Sequence, residues 1–301
     1  MKTRWLSGRS VCRVKIVSEE RRSIEKAVEA AVARPASPAS RPPDPPRLAR
    51  GSEPNPAFDP TQELVDLEAR LDRCVAAIAM HFQPIVHATT RARFGYEALL
   101  RSADRSLPHP GAILDAAERL ERIPQVGRAV RANVAKTIAE APAERGVVFV
   151  NLHLLDLFDK QLLSPFAPLS KVASRVVLEV TERTSLDGAI DLPYRVAELR
   201  ELGFRIAIDD LGGGHARMGT FTLLDCDFVK LDMSLVRDID QHPMKQRLAR
   251  SITDLCREQG TKIIAEGIET RAEEHVLVEL GCDLLQGYLI AKPALPFCDP
   301  L

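Results

Sequence analysis

Polar side chains interrupt the apolar, β-branched runs of this sequence, and most of these polar groups are carboxylates. Each run is short enough to form one strand, and most runs carry their polar residue near the end. The set comprises Glu97, Asn151, Glu179, Asp209, Asp210, Lys230, Asp232, Glu266 and Gln286. Crowded carboxylates repel one another, and burial raises their pKa values. Such a set is therefore costly unless the folded protein uses it to hold a cation.

The donor atoms of this set predict a hard divalent cation. Carboxylate and amide oxygens are the preferred ligands of Mg²⁺ and Mn²⁺, and the sequence has no Cys-x-x-Cys or His-x-x-His pair to favour a softer metal. Two ions about 4 Å apart are a common arrangement for in-line displacement at phosphorus, where a lysine such as Lys230 can hold the water or the developing oxyanion. An enolase-type site combines the same groups, so composition and spacing leave both reactions open.

The strand-like runs and the segments between them predict the scaffold that brings these side chains together. The eight runs are residues 78–86, 94–100, 147–151, 176–180, 205–209, 228–232, 262–266 and 284–290. Amphipathic stretches separate most of them, for example residues 126–141, 189–203 and 244–260. This alternation predicts an α/β fold of the (β/α)8 type, in which the carboxyl ends of the strands meet on one face. An open doubly wound sheet is the alternative, although it usually has fewer strands.

The gap between the first two runs is too short for a crossover helix. Residues 87–93 separate them, whereas parallel neighbours need a connection of about a dozen residues. We therefore expect an antiparallel hairpin at the start of a modified barrel.

Residues 1–60 differ in composition from the rest of the chain. Proline is dense between Pro35 and Pro60, and this removes amide donors and blocks helix and sheet interiors. The sequence predicts a disordered, proline-rich segment over 1–60 and a barrel over 61–301. Asp59 is a plausible cap for the first helix, with proline at the first helical position.

The overall composition excludes several classes of protein. There are 41 basic and 42 acidic residues, so the net charge of -1 provides no basic field for a nucleic-acid polymer or an anionic membrane. No apolar run of about 18 residues is present, which excludes a membrane-spanning helix. The 6 scattered cysteines indicate reduced thiols in a cytoplasmic protein.

Eight short motifs, in order, resemble the EAL-domain family of cyclic-di-GMP phosphodiesterases. They are QPIV (83–86), YEALLR (96–101), FVNL (149–152), LEVTER (178–183), AIDDLGGG (207–214), FVKLD (228–232), AEGIET (265–270) and GCDLLQGYLIAKP (281–293). The resemblance covers about residues 78–296. It implies a modified (β/α)8 barrel with one antiparallel strand, a homodimer, and hydrolysis of cyclic-di-GMP to linear pGpG with Mg²⁺ or Mn²⁺.

The resemblance also implies roles for individual residues. Five of them would ligate metal, with the last reaching a second ion: Glu97, Asn151, Glu179, Asp209 and Asp210. Lys230 would orient the attacking water, and Glu266 would complete the metal site directly or through water. Gln286 would lie beside the substrate or its water, and Arg101 would contact a substrate phosphate. Glu269 would brace the loop after the fifth strand.

One stretch departs from the family pattern. After the paired aspartates the family reads close to DFGTGYSSL, whereas residues 210–218 here read DLGGGHARM. Gly213 and His215 therefore replace a threonine and a tyrosine, and consecutive glycines raise the conformational entropy of a loop. The alternative hypothesis is a cyclic-di-GMP receptor or interaction module that does not hydrolyse its ligand.

The remaining polar residues near the motifs are expected to have structural roles. His81 and His87 flank the first strand and are predicted to pack or lie on the surface. Two residues have two alternative roles each: His153 approaches substrate or lies on a loop surface, and Asp232 belongs to the site or caps the end of its strand. The segment Glu273–His275 is predicted to form the solvated first turn of a helix.

Overall fold

Eight strands close into a barrel in sequence order. The computed structural model describes residues 60–181, 192–212 and 225–299. The strands are β1 (Ile78–His87), β2 (Arg93–Ser102), β3 (Val147–Leu152), β4 (Val176–Thr181), β5 (Arg205–Leu211), β6 (Phe228–Leu231), β7 (Lys262–Ala265) and β8 (Leu284–Leu285). β1 is antiparallel to both of its neighbours, β2 and β8, and the other pairs are parallel. The predicted modified (β/α)8 fold with an antiparallel first hairpin is confirmed.

Helices surround the barrel where the sequence is amphipathic. They are α1 (Pro60–Ala76), α2 (Pro110–Arg119), α3 (Ile123–Glu140), α4 (Leu192–Glu201), α5 (Met233–Val236), α6 (Pro243–Gln259) and α7 (Arg271–Glu279). Several begin with proline in the first turn, where the missing N–H would have no helical partner. The helices predicted over 126–141 and 244–260 correspond to α3 and α6, and α6 ends at Gly260 in the left-handed conformation. Within the described ranges, no helix is long and apolar enough to cross a membrane.

The apolar core has an inner and an outer layer, with a smaller cluster beside them. The inner layer fills the barrel and consists of Ile85, Phe149, Val177, Ala207, Phe228, Ile264 and Leu284. The outer layer lies between strands and helices and includes Phe82, Val134 and Ile252. A separate cluster, centred on Leu71 and Ile113, joins α1, α2 and the start of α3. The inner layer closes the barrel interior below the carboxyl ends of the strands.

β6 and β7 end one residue earlier than the sequence predicts. β6 ends at Leu231, because the carboxylate of Asp232 accepts a hydrogen bond from the Ser234 N–H and caps α5. β7 ends at Ala265, so Glu266 begins the following loop. Both acidic residues thus stand at the carboxyl face rather than inside the sheet ladder.

The eighth strand is much shorter than the predicted run over 284–290. It comprises Leu284–Leu285 alone. Beyond it, the Ile268 N–H donates to the Gln286 carbonyl and the Leu289 N–H donates to the Ile268 carbonyl. The expectation of a long eighth strand is therefore wrong, because this segment bonds to the loop after β7 instead of continuing along β1.

The predictions for the N-terminal segment fall outside the described residues. Disorder over 1–60 and the cap at Asp59 are not addressed by the structure, which begins with α1 at Pro60. The glycine-rich loop, with Gly213 and His215, also lies outside the described ranges.

Candidate active site

Strand alternation places a ring of polar side chains directly above the apolar inner layer. Side chains two positions apart on a strand share a face. On or just after every strand, an inner-layer position is therefore paired with a polar one nearer the carboxyl face. These pairs are Ile85 and Gln83, Gly95 and Glu97, Phe149 and Asn151, Val177 and Glu179, Ala207 and Asp209, Phe228 and Lys230, Ile264 and Glu266, and Leu284 and Gln286. The barrel thus gathers most of the predicted site residues into one layer, which is called the carboxylate layer below.

Lys230 lies at the centre of this layer. Its Nζ is 2.7 Å from Glu179 and 2.6 Å from Glu266. It is also 3.4 Å from Glu97 and 3.5 Å from Asp209. Its side chain is only 1% exposed. One ammonium therefore faces four carboxylates from different parts of the barrel, and negative charge is in excess.

A chain of amide hydrogen bonds holds the Glu97 carboxylate in place. Asn151 donates to one carboxylate oxygen at 2.9 Å and Gln286 donates to the other at 2.6 Å. The same Gln286 amide donates to Gln83 at 3.1 Å, and Gln83 donates to the Ala291 carbonyl at 3.0 Å. Gln83 was not predicted as a site residue, although a buried amide inside an apolar run is the same signal that marks Gln286.

The buried carboxylates differ in the direction in which their pKa values are shifted. Burial would raise the pKa of Glu97, but Lys230 and the hydrogen bonds from Gln286 and Asn151 bring it below the usual value. Burial holds the pKa values of Glu179 and Glu266 well above the usual range, because Lys230 offsets it only in part. Burial also lowers the pKa of Lys230, but the surrounding carboxylates outweigh this and raise it well above its usual value. The ammonium thus stays charged while two carboxylates favour protonation.

The residues present fit a divalent cation. One ligand oxygen from each of Asp209, Asp210 and Glu266 lies within 4.8 Å of the others. The oxygens of fully buried Glu179 have no hydrogen bond in good geometry from any described residue, although Lys230 lies close to one of them. Buried carboxylates with unused acceptor capacity are suited to hard cations. Asp210 has a positive φ of 61°, and its carboxylate belongs to this cluster.

Three further predicted residues lie around this layer. Arg101 is on β2, four residues beyond Glu97 and on the same face, and its guanidinium donates to the Leu100 carbonyl. Asp232 directly follows β6 and caps α5, which agrees with the expected cap at the strand end. His153 caps a short 3-10 helix, and its Nε2 lies 3.4 Å from Glu118. The structure thus places Arg101 at the mouth of the barrel, which is the open end above the carboxylate layer. Asp232 and His153 have local structural contacts instead.

Glu269 lies outside the carboxylate layer. Its carboxylate forms an ion pair with Arg237 at 2.6 Å, which joins the loop after β7 to the segment after α5. The ion pair brings the pKa of Glu269 below its usual value, mainly through the hydrogen bond from Arg237. Its predicted contact with the loop after β5 remains a prediction, since that loop is outside the described ranges.

Glu273 is buried, and the prediction of a solvated first turn is wrong for this residue. It is 1% exposed and accepts hydrogen bonds from the backbone N–H groups of Asp238, Glu269 and Thr270. It closes the capping box of α7 with Thr270. Burial would raise its pKa, but the backbone donors bring it below the usual value. The carboxylate therefore ties the loop that carries Glu266 to the segment after β6.

Comparisons with known proteins agree with this geometry. The EAL domain family model matches residues 65–293. The probable cyclic di-GMP phosphodiesterase PdeA of Escherichia coli is 33% identical over 217 residues, which are 68% of this chain and 29% of the relative. The bifunctional diguanylate cyclase/cyclic di-GMP phosphodiesterase MucR of Pseudomonas aeruginosa is 30% identical over 246 residues, which are 79% of this chain and 36% of the relative. The chain spans about a third of the length of these relatives.

Solved structures share the barrel. The PaMucR phosphodiesterase in complex with c-di-GMP has a TM-score of 0.64 and 28% identity, and the match covers 73% of this chain and 98% of that one. Klebsiella pneumoniae BlrP1 in its manganese/cy-diGMP complex has a TM-score of 0.65 and 26% identity, with coverage of 75% and 58%. The modified barrel, its polar layer and the family match together show that the chain belongs to the EAL domain family.

Proposed function

We propose that the chain hydrolyses cyclic-di-GMP to linear pGpG and uses Mg²⁺ or Mn²⁺, with two ions in the site. The observation that carries the proposal is the position of Lys230, buried among four carboxylates at 2.6–3.5 Å. The relatives named as cyclic di-GMP phosphodiesterases support the substrate. The BlrP1 complex, which contains manganese and the dinucleotide, supports the cation.

The oxygen ligands divide between two cation positions in this proposal. The first ion would be held by Glu97, Asn151, Glu179 and Asp209. Asp210 would reach the second, and Glu266 would complete the site directly or through water. Divalent cations held there would neutralise charge on the phosphate and lower the pKa of a bound water.

The side chains of the layer would then position the reactants. Lys230 would donate a hydrogen bond to the attacking water and stabilise the negative charge that develops on the phosphate oxygens. The water oxygen bonds to phosphorus, the bond to the ribose 3′ oxygen breaks, and the proton passes to that oxygen. Gln286 has a buried Oε1 without a hydrogen bond from the described residues, so it can accept one from water. Arg101 would bind phosphate at the mouth.

The apolar inner layer supports this chemistry from below. It closes the barrel under the carboxylates and keeps bulk water away from Lys230, which strengthens each electrostatic interaction. Glu269, through Arg237, is proposed to brace the neighbouring loops and so to act on the site through geometry.

A second candidate function is a cyclic-di-GMP receptor that binds without hydrolysis. The sequence of residues 210–218 favours it, because Gly213 and His215 replace the residues that the family carries there. The complete set of carboxylates around Lys230 favours the enzyme instead, since a receptor has no need for a buried cation-binding layer.

One experiment separates these functions. The full chain is incubated with cyclic-di-GMP and Mg²⁺, Mn²⁺ or chelator, and pGpG is measured by chromatography, while calorimetry measures binding. Formation of pGpG with either metal, and its loss in Glu97→Gln, is expected. Tight binding without product in either metal would establish the receptor. Neither binding nor product would reject both functions.

The rest of this proposal concerns the compartment of the protein, its oligomeric state and its N-terminal segment. We propose a cytoplasmic homodimer with a disordered segment over 1–60 before the barrel. The scattered thiols support the compartment, because Cys226, Cys256 and Cys282 are buried and unpaired. Light scattering of the purified chain tests the dimer, and a monomer at micromolar concentration would contradict it.

A further inference from the structure

His81 lies on the wall of the barrel mouth, although the sequence predicts a packing or surface role. On β1 the Phe82 ring packs outward against Phe297, at 4.8 Å between ring centroids. Gln83 points inward, since its side chain bonds to Gln286. Because side chains alternate along a strand, His81 shares the inward face with Gln83. It lies about 7 Å further along β1, toward the mouth.

The part of the hairpin that carries His81 rises above the rest of the barrel. The last pair between β2 and β3 is Ala98 with Val150, so the β2 residues 99–102 extend beyond it. Leu99 is opposite His81 and Arg101 is opposite Ala79. Diagonal neighbours in such a pair are about 7–8 Å apart, so His81 lies beside Arg101 on the same inner face. Both are partly exposed, as a wall of an open mouth requires.

The imidazole of His81 has free polar atoms. It forms no hydrogen bond, ion pair or ring contact with any described residue. The layer below it is rich in carboxylates, whereas the rim of the hairpin offers an imidazole and a guanidinium without an acidic residue between them. The rim of the hairpin therefore suits an anion that lies above the reacting group.

We propose that His81, together with Arg101, binds the phosphate of a cyclic dinucleotide that is not being cut. This inference rests on the proposed function, because such a substrate has two phosphates on opposite sides of one covalent ring. When one phosphate lies at the carboxylate layer, the ring holds the other away from it, toward the mouth. His81 would then donate a hydrogen bond to a non-bridging oxygen of the second phosphate. The residue selects for a cyclic dinucleotide over a simple diester and takes no part in bond cleavage.

The test uses the full chain and separates binding from chemistry. His81→Phe keeps a planar ring and removes the polar atoms, so KM for cyclic-di-GMP should rise about tenfold or more, as expected for a lost hydrogen bond to a charged group. Because the interaction is equally strong in the ground state and the transition state, kcat should stay within about twofold. His81→Asn, which retains a donor, should recover part of the lost affinity. With bis(p-nitrophenyl) phosphate, which has one phosphate, the effect of His81→Phe should be much smaller.

A matched control comes from the same strand. His87 lies at the opposite end of β1 and packs edge-on against Phe94, so His87→Phe should leave KM for cyclic-di-GMP unchanged. An unchanged KM in His81→Phe, a loss confined to kcat, or an equal loss with both substrates would overturn the inference. If the wild-type chain forms no pGpG, the proposed hydrolysis fails separately. Calorimetry of cyclic-di-GMP with wild type and His81→Phe then still decides the role of His81, and equal affinities would reject it.

Discussion

At the scale of single residues, we expect both the activity of the carboxylate layer and its stability without metal to depend on Lys230. Lys230→Met should lower turnover of cyclic-di-GMP by at least about 100-fold, because in the proposed mechanism it removes a preorganised charge next to the reacting phosphate. It should retain Mn²⁺ binding, since all carboxylates remain. Without metal, the carboxylates lose their internal cation, and the variant should be less stable by about 3 kcal/mol. Added Mn²⁺ should raise the thermal midpoint of the variant more than that of wild type.

The control for this experiment is Lys262→Met. Lys262 is also a lysine at an inward strand position, but it lies at the opposite end of the barrel, 5.5 Å from the ring centre of Phe94. The Lys262→Met substitution should leave turnover of cyclic-di-GMP unchanged. Equal turnover in Lys230→Met and wild type would remove Lys230 from the mechanism.

Proton binding at Glu179 and Glu266 should make cation affinity depend on pH. Both pKa values are raised by burial, so protons occupy these two proposed ligands at a higher pH than is usual for carboxylates. A cation must displace those protons, and its affinity should therefore fall as pH decreases below the raised pKa values. Each displaced proton makes the apparent affinity about tenfold weaker per pH unit. Calorimetric titration with Mn²⁺ between pH 8 and pH 5 measures this, and a flat profile over that range would contradict it.

The side chains that meet in the carboxylate layer were largely predictable from sequence because charged groups stand out in apolar runs. Glu179 and Lys230 are examples, since each interrupts a run of buried apolar residues, over 176–180 and 228–231 respectively. Gln83 was missed for a geometric reason. β1 runs against the other strands, so the residue that reaches the layer lies in the middle of this strand rather than at its carboxyl end.

At the scale of elements, tertiary contacts set the strand ends that the sequence could not. The run around β8 stays apolar beyond Leu285, but the chain turns toward Ile268 and leaves the sheet. Gly287 allows this, because a Cβ there would lie 2.1 Å from the Ile268 carbonyl oxygen. Hydrophobicity alone identifies the segment as buried and does not say which neighbour it contacts.

Glu273 is expected to stabilise the loop that carries Glu266. In Glu273→Gln one of the two carboxylate oxygens becomes a donor, so at least one of three backbone N–H groups loses its acceptor. The free energy of unfolding should fall by about 1–3 kcal/mol. Activity should fall as well, because the loop positions Glu266. The folded pKa is below the usual 4.5, so this stabilisation is present above that pH and is lost as pH falls through the folded pKa.

The measurement is urea unfolding of both proteins at pH 7 and near pH 4. The difference between wild type and Glu273→Gln should be larger at pH 7. Glu279→Gln removes the same charge from an exposed position on the same helix and should change stability by less than about 0.5 kcal/mol. A similar effect from both substitutions would mean that net charge, and not the buried hydrogen bonds, is responsible.

At the scale of the whole molecule, α1 belongs to the barrel and marks how far the chain can be shortened. Leu67, Leu71 and Cys74 of α1 are buried against α2. A chain that starts at Asp59 should keep its thermal midpoint within about 2 °C and retain full turnover, because a proline-rich composition disfavours a packed core. A chain that starts at Ile78 should lose stability, since it exposes this cluster. If the chain that starts at Asp59 were less stable than the full chain, residues before Asp59 would have to pack on the barrel.

The reversed first strand determines the side on which the polypeptide enters the barrel. In a barrel of parallel strands the first strand starts at the closed end, but β1 here starts at the mouth, directly after α1. Arg73 of α1 also donates to Ser106 in the turn that follows β2, and the Cys74 carbonyl of α1 accepts a hydrogen bond from Ser102 at the end of β2. A pull or rotation applied to α1 by preceding sequence would therefore act on the rim first and not through the barrel wall. Tension on α1 would therefore be transmitted first to the end of the barrel that carries the candidate active site.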